Sequence, residues 1–278
     1  MRETPNPNTR VVPDRERPNS WVVRIGGTEQ SFVDVSDPTY LEFEYVQRIA
    51  EVIDHAAEPG APIRVVHVGG GGLTLPRYVA ATRPTSAQIV LEPDIALIEE
   101  VRAHAPLAKM SGVKVRPTDG RSGLAEMPAD YADLIIMDAF DGACVPAELV
   151  TREWFALVAH VLRADGTLVA NLTDKAPFAW SRRVVAGIRE LCPTTIFAAE
   201  PAVIKGRRFG NLVVSSGPTL NVAALERVAS RATFPYRVIS GPALTNWLGN
   251  AHPFADSDTQ PSPPPEDFGV TTLTRHKE

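Results

Sequence analysis

The chain has 278 residues, 44% hydrophobic and 22% charged, which is an ordinary globular balance with room for one large domain plus a small appendage. A formal net charge of -5 disfavours a nucleic-acid partner, because neutralising phosphates needs a surplus of Lys and Arg. Two cysteines are too few for a disulfide framework and suggest a reducing, cytoplasmic setting, while no apolar run approaches the ~20 residues that would span a membrane.

Residues 1–20, rich in Pro, Asn and Arg and lacking the apolar stretch of a secretory signal, read as a disordered N-terminal arm. Trp21 to Ile25 and Gln30 to Val35 are strand-like runs separated by Gly26-Gly27-Thr28-Glu29, a hairpin signal. Asp37-Pro38 then offers a cap residue and a first-turn proline for a helix. Along it Leu41, Tyr45, Ile49 and Ile53 recur every fourth residue as one apolar stripe. Glu58-Pro59-Gly60-Ala61-Pro62 closes this helix. Residues 21–58 are therefore a small β-hairpin and helix region, and 59–250 the main domain.

That domain opens with Ile63 to Val68, a β-branched run of the kind buried on both faces of a parallel sheet. Four glycines follow, Gly69 to Gly72, and then a helical segment from Leu73. A second apolar run, Gln88 to Leu91, ends in Glu92. Glycines admit a ligand close to the backbone, and a carboxylate at the next strand end accepts both ribose hydroxyls, so this unit reads as a nucleoside pocket. A P-loop would need a lysine and a hydroxyl after its glycines, and neither is present. A dinucleotide fingerprint finds Gly69 and Gly71 but meets Thr74 at its third position. An adenosyl-sulfonium such as S-adenosylmethionine has no pyrophosphate and does without that glycine. The alternative is a tight strand-to-helix turn that binds nothing.

Helices and strands then alternate, as in a parallel sheet with crossovers. Ile95 to His104, Leu149 to Leu162 and Phe178 to Leu191 read as helices. Val113 to Val115, Leu134 to Met137, Thr167 to Asn171, Thr195 to Ala199 and Asn211 to Ser215 read as strands, the last two an antiparallel pair joined through a turn at Gly206. Ala223 to Ala232 is a terminal helix, and residues 251–278 are a Pro-rich tail. His67 falls inside the first core strand, where a hydrogen-bonded core histidine is expected, and no metal-ligand spacing is seen.

Four acids fall at the carboxyl ends of strands, where open α/β sheets bind ligands: Glu92, Asp119, Asp138 and Asp141. Glu92 is placed to bind ribose and Asp119, with Gly120 beside it, to receive the adenine amine. Asp119 equally reads as an ordinary turn acid. Asp138 and Asp141, three residues apart after a buried strand, suit a cationic amine. An alkyl amine has a pKa of ~10.4 and attacks carbon only after a base takes its proton. The competing reading makes Asp138 a loop cap and Asp141 a turn opener before Gly142.

The order Gly69-Gly70-Gly71-Gly72, Val90-Leu91-Glu92-Pro93-Asp94, Asp119-Gly120 and Asp138-Ala139-Phe140-Asp141 ahead of Pro146-Ala147-Glu148-Leu149 resembles the polyamine aminopropyltransferases, the spermidine synthase family, from about Gln30 to Ser216. The resemblance implies a Rossmann-like class I methyltransferase fold, a mostly parallel seven-stranded sheet with an antiparallel last strand, behind the small N-terminal β region. It implies a homo-oligomer, dimer or tetramer, taking decarboxylated S-adenosylmethionine or S-adenosylmethionine and a small-molecule amine acceptor. Gln30, Gly69, Gly70, Gly71, Glu92, Asp119 and Gly120 would hold the nucleoside. Asp138 would be the general base, Asp141 would help hold the amine, and Asp141 to Glu148 would gate the site.

Two positions depart from the family. Its glycine loop carries an acid where this chain has Gly72, and its Tyr-His-Glu stretch is here Glu42-Phe43-Glu44-Tyr45. Without that acid a donor carboxylate is no longer repelled, so intact S-adenosylmethionine with Arg77 as its partner is an expectation too. A small-molecule methyltransferase and a non-catalytic nucleoside-binding oligomer remain the alternatives, with an NAD-dependent oxidoreductase more distant.

Overall fold

Val22, Val23, Phe32 and Val33 are buried because the strands carrying them pair antiparallel over the main domain, in the computed structural model of the chain, which describes residues 10–25 and 28–265. β1 (Val11–Pro13), β2 (Ser20–Ile25) and β3 (Thr28–Asp34) form a three-stranded sheet in that order. The turn expected at Gly26-Gly27 lies outside the described residues. β1 corrects the expected disordered arm: Val12 pairs with Val22, Val11 is buried, and Arg10 is tied to Asp94 and Glu100. Residues 1–9 lie outside the described residues.

α1 (Glu44–His55) begins later than Asp37. The Asp37 carboxylate accepts from the backbone N–H (3.0 Å) and hydroxyl of Thr39, closing a turn of its own instead of capping a helix. Of the expected stripe, Tyr45, Ile49 and Ile53 lie on α1 and Leu41 precedes it, all of them buried.

The large sheet has eight strands. β4 (Arg64–Val68), β5 (Ala87–Leu91), β6 (Val113–Arg116), β7 (Ala132–Met137) and β8 (Leu162–Asp174) run parallel, whereas β9 (Thr195–Ala199), β10 (Gly210–Ser216) and β11 (Arg237–Ile239) each pair antiparallel with their neighbours. The order is β11-β9-β10-β8-β7-β4-β5-β6. α2 (Thr74–Thr82), α3 (Ile95–His104), α4 (Gly120–Ala125), α5 (Arg152–Val161), α6 (Ala179–Leu191), α7 (Pro201–Ile204), α8 (Val222–Arg231) and α9 (Gly241–Leu248) connect the strands or follow them. A seventh strand was to be the last and α8 terminal. β11 and α9 extend the fold because a three-residue edge strand carries no periodic signal. Among the described residues no helix is long and apolar enough to cross a membrane.

Both faces of the sheet are covered, which is why its strands read as unbroken apolar runs. Val66, Val68, Ile135 and Leu168 pack with Trp154, Phe155 and Trp180 on one face. Val65, Leu134, Ile136 and Val169 pack with Ile49 and Ile53 of α1 on the other.

One buried cation fixes α1 to that face. Arg83, 1% exposed after α2, donates to the backbone carbonyls of Ile53 (3.0 Å), Asp54 (2.9 Å), Ala57 (3.0 Å), Glu58 (2.9 Å) and Ala61 (3.0 Å). These carbonyls lie at the end of α1 and in the loop beyond it, and those of Ile53 and Glu58 also accept from the backbone N–H of Ala56 and Ala61. A guanidinium has five N–H donors, and all five are used.

The expected Pro-rich tail is, as far as residue 265, a packed strap. Phe254 is fully buried and its carbonyl accepts from Arg152 N–H at 2.9 Å, while Trp180 Nε1 donates to Gln260 O at 2.9 Å. Arg121 pairs with Asp256 and Arg183 with Asp258. Such a segment shows no periodicity because, apart from one turn between Ala255 and Asp258, its bonds go to other elements. Residues 266–278 lie outside the described residues.

Candidate active site

Parallel strands leave their carboxyl ends on one rim, and the crossovers there must turn sharply. β4, β5 and β7 end at Gly69, Glu92 and Asp138, and the loop after β6 reaches Asp119. Around them opens a cavity of about 540 Å³, within the range of small-molecule sites. Gln30, Gly69, Gly70, Gly71, Glu92, Asp119, Gly120, Asp138 and Asp141 all line it. The structure thus brings together every residue that the sequence offered as a nucleoside or catalytic group.

The glycine loop is dictated by proximity. Gly69 has φ +95°, and a Cβ there would lie 2.4 Å from the carbonyl oxygen of Asp138. The next residue, Gly70, donates its N–H to Glu92 Oε2 at 2.8 Å, and Glu92 Oε1 accepts from Asp94 N–H at 2.9 Å. Glu92 is therefore oriented by backbone before any ligand arrives.

Asp119 is the turn acid of its sequence reading and also lines the cavity. Its carboxylate caps α4 by accepting from Ser122 N–H at 2.8 Å, a bond that holds its pKa below the usual carboxylate range, and it also faces the cavity.

Asp138 is the deep carboxyl. Burial pushes its pKa up to about 6, and a hydrogen bond from Asn171 Nδ2 to Oδ1 at 2.9 Å offsets part of that rise. Its Oδ2 has no hydrogen-bond partner among the described residues. Tyr45 of α1 faces the same carboxyl, its phenol pushed well above the ordinary value by burial and then by Asp138.

Asp141 sits higher, on an exposed turn. Its N–H donates to Cys144 O (2.9 Å) and its carbonyl accepts from Cys144 N–H (3.1 Å), with Gly142 at φ +62°. Gln30 Nε2 reaches Gly142 O at 3.4 Å, so β3 touches the same turn. The segment behind it is pinned by the strap. Ser262 Oγ accepts from Val145 N–H at 2.9 Å, Ser262 N–H donates to Val145 O at 3.1 Å, and Thr259 Oγ1 donates to Ala147 O at 2.7 Å.

Two sequence expectations resolve differently. Arg77 does not line the cavity: its guanidinium donates to the carbonyls of Ala105 and Pro106 behind α3, and burial lowers its pKa to about 10. It is not placed to meet a donor carboxylate. His67 is the core histidine expected, its Nε2 2.9 Å from Gln88 Oε1 and its pKa lowered to about 4 by burial, so it is neutral at pH 7. Among the described residues no group of three or more His, Cys, Asp or Glu side chains is placed to hold a metal ion.

The charge of the lining is one-sided. Glu92, Asp94, Asp119, Asp138, Asp141 and Glu148 contribute carboxylates, of which Asp94 is paired with Arg10. No Lys or Arg side chain joins them among the described lining residues. Such a cavity concentrates cations.

Gly72 stands where the family that the sequence resembles carries an acid. A Cβ there would lie 2.7 Å from Ser31 Oγ and 2.8 Å from Val33 Cγ2, so β3 occupies the space of a side chain. Restoring the acid as Gly72→Asp is expected to lower stability by about 1–3 kcal/mol through overpacking, as read from the urea midpoint. A variant as stable as the parent would show that β3 yields.

Sequence reasoning missed Asn171, Thr173, Phe209 and Asn211, which line the cavity from β8, the residue before β10 and β10 itself. The available signal was a polar residue, Asn171, ending an otherwise apolar strand.

No protein-family model matches the chain. A curated polyamine aminopropyltransferase from Vibrio vulnificus (strain CMCP6) is 29% identical over 112 residues, 40% of this chain and 38% of that protein, so the match spans well under half of the relative. A probable spermidine synthase from Corynebacterium glutamicum ATCC 13032 superposes with TM-score 0.81 at 26% identity, covering 88% of this chain and 92% of that one. Human methyltransferase-like protein 13, solved with SAH, gives TM-score 0.52 at 20% identity over 77% of this chain and 94% of its own, a likeness of fold alone.

Proposed function

We propose that this chain, a divergent member of the spermidine synthase family, transfers an aminopropyl group from decarboxylated S-adenosylmethionine to a small-molecule amine. The observation that carries this reading is the acidic lining. A decarboxylated donor brings a sulfonium and an ammonium, and the acceptor amine brings another cation, each favoured by carboxylates. Intact S-adenosylmethionine would place its own carboxylate among like charges, with Arg77 turned away.

In this reading Glu92 accepts hydrogen bonds from the ribose hydroxyls, worth roughly 1.5–3 kcal/mol each when charge-assisted. Asp119 receives the adenine amine, and Gln30 and the backbone of Gly69 to Gly71 and Gly120 close around the nucleoside. Asp141 attracts the acceptor, and Asp138 Oδ2 takes a proton from its nitrogen. The nitrogen lone pair bonds to the methylene carbon beside sulfur, the carbon–sulfur bond breaks, and its electron pair returns to sulfur, leaving methylthioadenosine. The protein's part is to align the two reactants and hold the proton acceptor. The protein works in the cytoplasm as a dimer or tetramer.

Calorimetry with S-adenosylmethionine, its decarboxylated form and methylthioadenosine tests the reading. Decarboxylated donor binding at least about tenfold tighter than the intact form is expected from one unpaired carboxylate, a difference of ~1.4 kcal/mol. Preference for the intact form would favour methyl transfer instead, and binding of none would leave a non-catalytic protein.

A further inference from the structure

Two amides from adjacent strands of the large sheet meet beside Asp138. Asn171 of β8 is 1% exposed, flanked by the buried Ala170 and Leu172. Asn211 opens β10, where the antiparallel register pairs it with Thr173, and Val213 pairs with Asn171. Asn211 Nδ2 donates to Asn171 Oδ1 at 3.0 Å, and Asn171 Nδ2 donates to Asp138 Oδ1 at 2.9 Å.

The direction of this chain has a physical cause. An asparagine amide fits the same space in two senses, one presenting N–H₂ to the carboxylate and the other presenting its oxygen. The second sense sets two acceptors against each other. The Asp138 carboxylate only accepts and so favours the first sense, and Asn211 reinforces it by donating its own N–H₂ to the Asn171 oxygen on the side away from Asp138. With Asn171 fixed, Asp138 Oδ1 is occupied and Oδ2 is left toward the cavity.

We propose that Asn211, acting through Asn171, is a positioning residue that holds Asp138 with one oxygen tied down and the other presented to the acceptor amine. This rests on the aminopropyl-transfer reading above. The groups facing Asp138 from other elements offer no substitute. α1 brings Tyr45, β5 and the loop after β6 bring the acids Glu92 and Asp119, its own loop brings Asp141, and β4 brings neutral His67. The Asn171 amide is its one hydrogen-bond donor among the described residues.

Three variants test the relay: Asn171→Ala removes the donor, Asn211→Ala frees its orientation, and Asn211→Asp inverts it. A carboxylate in place of the Asn211 amide attracts the Asn171 N–H₂ and turns its oxygen toward Asp138. Two readouts are followed across pH 4–9. One is the acid limb of kcat/KM for aminopropyl transfer. The other is the ¹³C-carboxyl titration of Asp138 in the intact protein, assigned by its disappearance in Asp138→Asn. A hydrogen bond to a charged group corresponds to about one pH unit or more. The expected result is an upward shift of about one unit in Asn171→Ala, roughly half a unit in Asn211→Ala, and the largest shift in Asn211→Asp. The inverted relay should also slow kcat at pH 7 by at least about tenfold.

Methylthioadenosine affinity should stay near that of the parent in Asn211→Ala and the circular-dichroism melt should remain one cooperative step, which separates positioning from damage. Asn211 variants that fold but leave both pH readouts unmoved would overturn the proposal while transfer in the parent still upholds the reading beneath it. No transfer by the parent, whatever the titration shows, would overturn the reading and the proposal with it.

Discussion

Asp138→Asn is expected to lower kcat by about 10²–10⁴-fold, the range of a lost general base, while methylthioadenosine affinity stays within about twofold. The same change should stabilise the protein at neutral pH. In the folded chain the Asp138 carboxyl is raised to about 6 by burial, above its value in the unfolded chain. Between pH ~4 and ~6 the folded state therefore binds the proton more tightly, and stability falls as pH rises through that window. Two pKa units correspond to about 3 kcal/mol, which an asparagine of the same shape does not forfeit. Urea melts should place Asp138→Asn above the parent at pH 7.5, with the gap closing toward pH 4. The parent's kcat/KM should lose its base on the acid side with an apparent pKa near 6. An unchanged kcat in the asparagine variant would reject Asp138 as the base.

Arg83→Lys is expected to destabilise the fold by about 1–3 kcal/mol although it keeps the charge. Lysine has three donors where the guanidinium has five and cannot span the same fork, so at least two of these contacts are lost, although the carbonyls of Ile53 and Glu58 keep their backbone donors. Each buried acceptor left without a donor costs on the order of 1–3 kcal/mol. Because α1 also carries Tyr45 to the cavity, kcat should fall along with stability. Equilibrium urea unfolding measures the first effect and initial rates well below the melting temperature the second. A loss under about 1 kcal/mol would mean that water reaches those carbonyls.

The rim of the sheet was legible in the sequence because of how a parallel sheet is built. Buried strands are apolar runs, their ends share an edge, and an acid just past such a run must therefore face a common space. Glu92, Asp119 and Asp138 followed from that rule, and Gly69 from the close approach it makes to Asp138. Residues whose work depends on a partner far away in the chain were not legible. Asn171 and Asn211 meet only because an antiparallel register joins strands whose residues lie 40 positions apart. Arg77 looked free because its acceptors, Ala105 and Pro106, are backbone carbonyls, which a sequence does not advertise. Asp37 misled for a related reason, since the same side chain that caps helices also closes turns.

The cover of the cavity is fastened by residues made late. Val145 meets Ser262 across 117 positions, while the glycine loop, Glu92, Asp119 and Asp138 all precede Val145. On a translating ribosome the glycine loop and the strand-end acids are therefore made well before the segment that fastens the loop at Val145.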